Sequence, residues 1–342
     1  MRVTRQSLIR IAKESTQERV YNDRTIVAVY LTGSLVGEAD PLLGGTADID
    51  LVLVHDSQPG LTRQILRLTP DFHLDIRHRH ASEFKSSREL RTDPVLGWEL
   101  YDPMLLYERE NFFHFLQAGL RAGSEFHAPE SMLARCRSLE ANARRGWLEL
   151  ADLSGQKGGA REVMLFLEAV RDAANSIAEL SGGPLAERRL LSDFPARALV
   201  TEHPEFTANL FSLLGANQVE PAALASWLEP WKAAFLAASQ RANVDTRIHS
   251  ARMNYYEKAI RALLEGETPL GGLWPLVLTW TLAVSVLEDP FGGPWDEACH
   301  QLGLLGPAFA QHVSDLDNYL DEIEAHLDEI AAANGLETST SV

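Results

Sequence analysis

Apolar and polar positions follow two different periods in the two parts of this chain. Near the N-terminus, Ser7–Arg19 carries Leu8, Ile9, Ile11 and Ala12 as an apolar stripe, which predicts an opening helix. Thr25–Leu31 then holds the unbroken run Ile26-Val27-Ala28-Val29-Tyr30-Leu31, a buried strand. Ile49–His55 is nearly all β-forming and predicts a second strand. Phe72–Arg77 alternates, with Phe72, Leu74 and Ile76 on one face and His73, Asp75 and Arg77 on the other. Between these two strands, Gly60–Leu68 reads as a helix. Leu96–Tyr101 suggests a further helix and Pro103–Glu108 a final strand that closes the sheet.

From about Phe112 the period becomes helical. Arg161–Leu180 places Met164, Leu167, Val170, Ala174, Ile177 and Ala178 at three- and four-residue steps, and Gly182-Gly183-Pro184 supplies a stop. Further helices are predicted over Ser131–Leu153, Pro221–Ala238, Asp245–Leu264, Leu273–Leu287 and Ala308–Ala333. A helical segment of this length can bury a core of its own. The expected organisation is an α/β (α+β) core with a mixed sheet over 1–111, an all-α helical bundle over 112–335 and a frayed tail over 336–342.

Chemistry concentrates in the strand-rich part. Gly33-Ser34 follows the first strand, and thirteen residues separate Ser34 from Asp48-Ile49-Asp50. On a strand, Asp48 and Asp50 share one face with Cα atoms roughly 6.5–7 Å apart, so their carboxylates can converge on a pair of metal ions. Mg²⁺ prefers such oxygen ligands, completed by substrate phosphates. Gly33 lets the backbone approach a phosphate closely, and Ser34 offers a hydroxyl and an N–H to its oxygens. Gly37, Pro41, Gly44 and Gly45 mark the intervening stretch as a loop that returns the chain to the next strand. Asp75, on a neighbouring strand, can complete a triad as metal ligand or general base. Asp71 is the fallback, but it follows Pro70 on the apolar parity.

Gly33-Ser34, the spacer and Asp48-Ile49-Asp50-Leu51 together resemble the signature of the DNA polymerase β-like nucleotidyltransferase superfamily, over roughly Tyr21–Arg79. The resemblance is strongest to its small-molecule branch, which includes aminoglycoside nucleotidyltransferases. It implies a nucleotidyltransferase core and two Mg²⁺ ions held by Asp48, Asp50 and Asp75. It also implies transfer of a nucleoside monophosphate, with ATP the expected donor among the NTPs, to a hydroxyl of a small acceptor, releasing pyrophosphate. The helical half would then form one wall of the acceptor cleft, in a monomer or homodimer. Two other roles fit the same residues: modification of a protein partner, as in toxin–antitoxin pairs, and a nucleotide sensor without turnover.

The net charge of −17 opposes broad nucleic-acid binding, which rests on Lys and Arg contacts to phosphate, and suits a cationic acceptor. Two cysteines, Cys136 and Cys299, point to no disulfide scaffold and fit a reducing cytoplasm. The N-terminus shows no signal peptide, and the apolar run Trp274–Leu287 is too short to span a membrane, so it reads as a buried helix.

A few further residues carry two readings each. Arg77 shares the face of Asp75 and can approach phosphate or pair with an acid. Lys258 can neutralise triphosphate charge from the helical half. Its neighbours Arg252, Tyr255 and Tyr256 are better explained by packing, and Glu168 and Asp172 by a solvated acidic face. His73, His78 and His80 cluster in sequence without a nearby Cys, and a zinc site is not expected there.

Overall fold

The structure, a computed structural model, describes residues 3–37, 40–153, 158–287 and 291–338. The chain forms two compact units, Met1–Ala128 and Pro129–Val342.

In the first unit, helix α1 (Arg5–Asn22) precedes strand β1 (Ile26–Thr32), and β2 (Ala47–His55), β3 (Arg63–Arg67), β4 (Phe72–His80) and β5 (Met104–Glu108) complete the sheet. The order β3-β4-β2-β1-β5 is mixed: β2 and β4 run parallel, and every other neighbouring pair is antiparallel. β1 and β2 are interior strands, which is why both are apolar along most of their length. One face of the sheet packs Val29, Leu31, Ile49, Leu51, Leu74 and Ile76 against Leu8 and Ala12 of α1. The other carries Ala28, Tyr30, Val52 and Val54 with apolar residues of α2 (Ser87–Thr92), α3 (Leu96–Tyr101) and α4 (Phe112–Arg121). α4, which begins where the helical bundle was expected to start, thus packs within the first unit.

One element differs in type. Residues 60–68, expected to be helical, contain β3, paired antiparallel to β4 with Ile65 opposite Asp75. The segment is an edge strand in which Ile65 alone is buried, while Leu61 and Leu68 are exposed. Leu61, Ile65 and Leu68 mimic a helical stripe, but two of the three serve no core. Arg63 and Arg67 at its ends are charged residues of the kind that discourage edge pairing with another chain.

Every element among the described residues of the second unit is a helix. It comprises α5 (Pro129–Asp152), α6 (Ala160–Ala178), α7 (Leu190–Leu199), α8 (Glu205–Leu213), α9 (Pro221–Ala238), α10 (Met253–Leu264), α11 (Leu273–Val284), α12 (Gly292–Gln301) and α13 (Phe309–Ala333). The apolar run anticipated as a buried helix is α11, whose residues are buried from Leu273 to Ala283. Within it Thr279 and Thr281 return their hydroxyls to carbonyls of the preceding turn, and they accept the indole N–H groups of Trp231 and Trp295. The helix thereby satisfies two polar groups brought into the core by α9 and α12. No described helix is long and apolar enough to cross a membrane. Of the expected tail, residues 339–342 lie outside the described ones.

Candidate active site

The parallel register of β2 and β4 sets Asp50 directly beside Asp75 and Asp48 beside His73. Asp48 and Asp50 share the face of Val52 and Val54, while Ile49 and Leu51 enter the opposite core. One carboxylate oxygen from each of Asp48, Asp50 and Asp75 lies within 4.8 Å of the other two. Asp75 is fully buried, Asp48 buried and Asp50 half-buried.

The Gly-Ser turn is built against this group. β1 ends at Thr32, the partner of Asp50, and Gly33–Leu35 then form a tight 3-10 turn. Gly33 has φ +73°, and a Cβ there would stand 2.2 Å from Asp50 Oδ2. Glycine is therefore demanded twice, by the backbone conformation and by the carboxylate lying on it. The Ser34 hydroxyl oxygen is buried and has no hydrogen-bond partner, which suits a donor that completes its bonding on a ligand. Further on, Gly44 and Gly45 turn the chain between the paired Leu43 and Thr46, both at positive φ, as a tight two-residue turn requires. Residues 38 and 39 of this loop lie outside the described ones.

Two arginines hold the arrangement, and neither was singled out from the sequence. Arg5, in the first turn of α1, donates from Nε to the Leu35 carbonyl at 2.7 Å and from Nη2 to the Val36 carbonyl at 2.8 Å, which ties down the end of the Gly-Ser turn. Arg63 of β3 forks onto Asp75, Nε to Oδ1 at 2.8 Å and Nη2 to Oδ2 at 2.5 Å. A two-pronged guanidinium fixes the plane of the carboxylate. It leaves lone pairs, because two carboxylate oxygens offer about four acceptor sites. The signal for Arg63 was hidden by reading its segment as a helix. No sequence signal marks Arg5.

Arg77 takes the second of its two readings. Its Nη1 donates to Glu99 Oε2 at 2.5 Å, and Arg79 makes a second ion pair with the same carboxylate. Glu99 also accepts the Tyr30 hydroxyl at 2.7 Å. Burial, and then the Glu99 carboxylate, hold the Tyr30 hydroxyl well above its ordinary pKa, so it stays a donor. This network joins α3 to β1 and β4 on the same face of the sheet as the triad. His55 and His78 form a separate pair, Nε2 to Nδ1 at 2.9 Å. Asp71 lies in the turn before β4, outside the triad. In the second unit, Lys258 is an exposed residue of α10, whereas Arg252 and Tyr256 are buried and Tyr256 donates to Glu187 at 2.5 Å, as the packing reading expects.

The donor set fits Mg²⁺: carboxylates that converge on one face, with a glycine cradle and an unpartnered hydroxyl alongside. No protein-family model matches the chain, and no curated protein matches it. Among solved structures, the chain is similar to a nucleotidyltransferase-like protein from Exiguobacterium sibiricum, at 12% identity over 96% of this chain and 92% of that one, with a TM-score of 0.29, an overlap too loose to bear on function.

Proposed function

We propose that the first unit is a Mg²⁺-dependent nucleotidyltransferase centre that moves a nucleoside monophosphate from an NTP to a hydroxyl of a small molecule. The observation that carries this reading is the convergence of Asp48, Asp50 and Asp75 beside the Gly33-Ser34 turn. Asp48 and Asp50 hold the metal ions, and Asp75 joins them. Bound Mg²⁺ supplies charge neutralisation to the triphosphate and to the departing pyrophosphate. Gly33 and Ser34 receive phosphate oxygens through the Ser34 hydroxyl and the turn's N–H groups. Asp75 takes up the acceptor proton as the new O–P bond forms and the bond from the α-phosphorus to the bridging oxygen breaks, with Arg63 keeping its carboxylate in plane. ATP is the expected donor, and the acidic chain favours a cationic acceptor.

The test is pyrophosphate release with Mg²⁺ and each NTP against hydroxylated amines, for the natural chain and for Asp50→Ala. Release that needs both acceptor and Asp50 supports the reading. Equal release by Asp50→Ala rejects it.

A further inference from the structure

Two groups of metal-ligating side chains converge among the described residues, and the second lies far from the aspartates in sequence: His203, His326 and Glu329. It sits on the seam where α8 and α13 run antiparallel. That seam is fixed along its length by the Leu213 carbonyl with His312 Nδ1 at 2.8 Å, Asn209 Nδ2 donating to Glu322 at 2.7 Å, and the Tyr319 hydroxyl donating to the Phe206 carbonyl at 3.5 Å. At its end His203, just before α8, meets His326 of α13 edge-on, with ring centroids 4.5 Å apart. Glu329 is three residues beyond His326, on the same helix face.

We propose that His203, His326 and Glu329 form a Zn²⁺ site, distinct in chemistry from the aspartate triad. Several observations converge on it. One ligand atom from each residue lies within 4.8 Å of the other two. His326 is 8% exposed, and both of its ring nitrogens are buried with no hydrogen-bond partner. Leaving a buried polar group unsatisfied is costly, and coordination relieves that cost at one nitrogen. Glu329 Oε2 stands 3.8 Å from His326 Nδ1, too far for a hydrogen bond. Two ligands of one tetrahedral Zn²⁺, each about 2.0–2.1 Å from the ion, stand roughly 3.3 Å apart. The exposed Glu329 side chain closes that difference by a small rotation.

His203 comes with an outer partner as well. Its Nδ1 lies 2.6 Å from Glu205 Oε1, and donation there leaves Nε2 with the lone pair. Two imidazoles and a carboxylate with a fourth position open form a donor set that suits zinc, whereas Mg²⁺ prefers all-oxygen surroundings. Glu205 acts as a positioning residue for this site.

The experiment uses the full chain with Asp48→Ala and Asp50→Ala in place, so that the triad cannot hold the ion. After chelation, Zn²⁺ is titrated calorimetrically, and Co²⁺ binding is followed by its visible absorption. One saturable equivalent is expected, unaffected by excess Mg²⁺, with tetrahedral Co²⁺ bands and a raised melting temperature. His203→Gln and His326→Gln should each weaken binding by about 100-fold or more, and Glu205→Gln by about 10–100-fold with altered bands. His326→Gln changes a buried group, so His203→Gln, at a half-buried side chain, and Glu329→Gln, at an exposed one, are the decisive variants, with circular dichroism confirming their fold. Absence of a saturable site, or affinity unchanged in those two variants, overturns the proposal.

Discussion

Gly33 is the residue on which the active-site geometry turns. Alanine there must hold φ near +73° and place its Cβ on the Asp50 carboxylate. The backbone cost is about 1–2 kcal/mol. The larger effect falls on Asp50, because the end of a side chain moves more easily than a strand. A displacement of about 1 Å costs on the order of 100-fold in rate. Gly33→Ala should therefore lower turnover by about that factor while melting only slightly earlier, and steady-state pyrophosphate release beside a thermal melt separates the two. Arg63 makes the opposite case. It is half-exposed, yet both of its hydrogen bonds end on a fully buried carboxylate. Arg63→Ala should cost about 1–3 kcal/mol in urea unfolding, and Arg63→Lys should recover part of it without the planar fork. In the Asp75→Asn background the loss should shrink markedly. An unchanged loss there means that the two side chains are not coupled.

At the scale of elements, legibility followed burial. β1, β2 and β4 were evident because long apolar runs or strict alternation leave few alternatives, and the Asp48–Asp50 pairing follows from the period of two. The convergence of Asp50 with Asp75 depends on strand register, which no local pattern encodes. β3 was misread because an edge strand with one buried residue writes almost nothing into its sequence. Helices α7, α8 and α12 span only nine or ten residues each, too short for a repeated apolar stripe, and α7 has Pro195 inside it. The pairing of β2 with β4 also has a consequence at low pH. Burial is the main cause that lowers the pKa of both His55 and His78, and for His78 the neighbouring His55 and Arg19 lower it further. Asp23 opposes the shift at both, with Asp56 adding to it and His80 acting against it at His55. Their mutual hydrogen bond needs a lone pair on one ring. The unfolded chain binds protons at an ordinary histidine value of about 6.5, whereas the folded pair binds them only at lower pH. Stability is thus fully present above that value and is lost as pH falls through it. A melting temperature that is level above neutrality should decline with acidification, and His78→Gln should flatten the decline. Identical pH profiles for the two proteins would remove the pair as the cause.

For the molecule as a whole, the division into two units is a division of cores. One buried cluster, from Leu133 to Ala331, draws every residue from the second unit, and the two clusters that flank the sheet draw theirs from the first. The second unit also keeps its polar groups in order internally. The Trp231–Thr279 and Trp295–Thr281 bonds, the Arg135–Glu179 ion pair and the Ser176 bond to the Cys136 carbonyl all close within it. A segment that holds its own apolar core and these internal polar contacts meets the main requirement for folding alone. Pro129–Val342 expressed by itself should be helical and should unfold in one cooperative transition. Its two cysteines report directly on packing. Cys136 and Cys299 are unpaired and buried, and burial is the first cause that pushes each thiol far above its ordinary pKa, which suppresses the reactive thiolate. Both should therefore resist a disulfide reagent in buffer and react together in denaturant, in the fragment as in the full chain. Rapid reaction of the fragment without denaturant, beside a protected full chain, would show that the helical core needs the first unit to close.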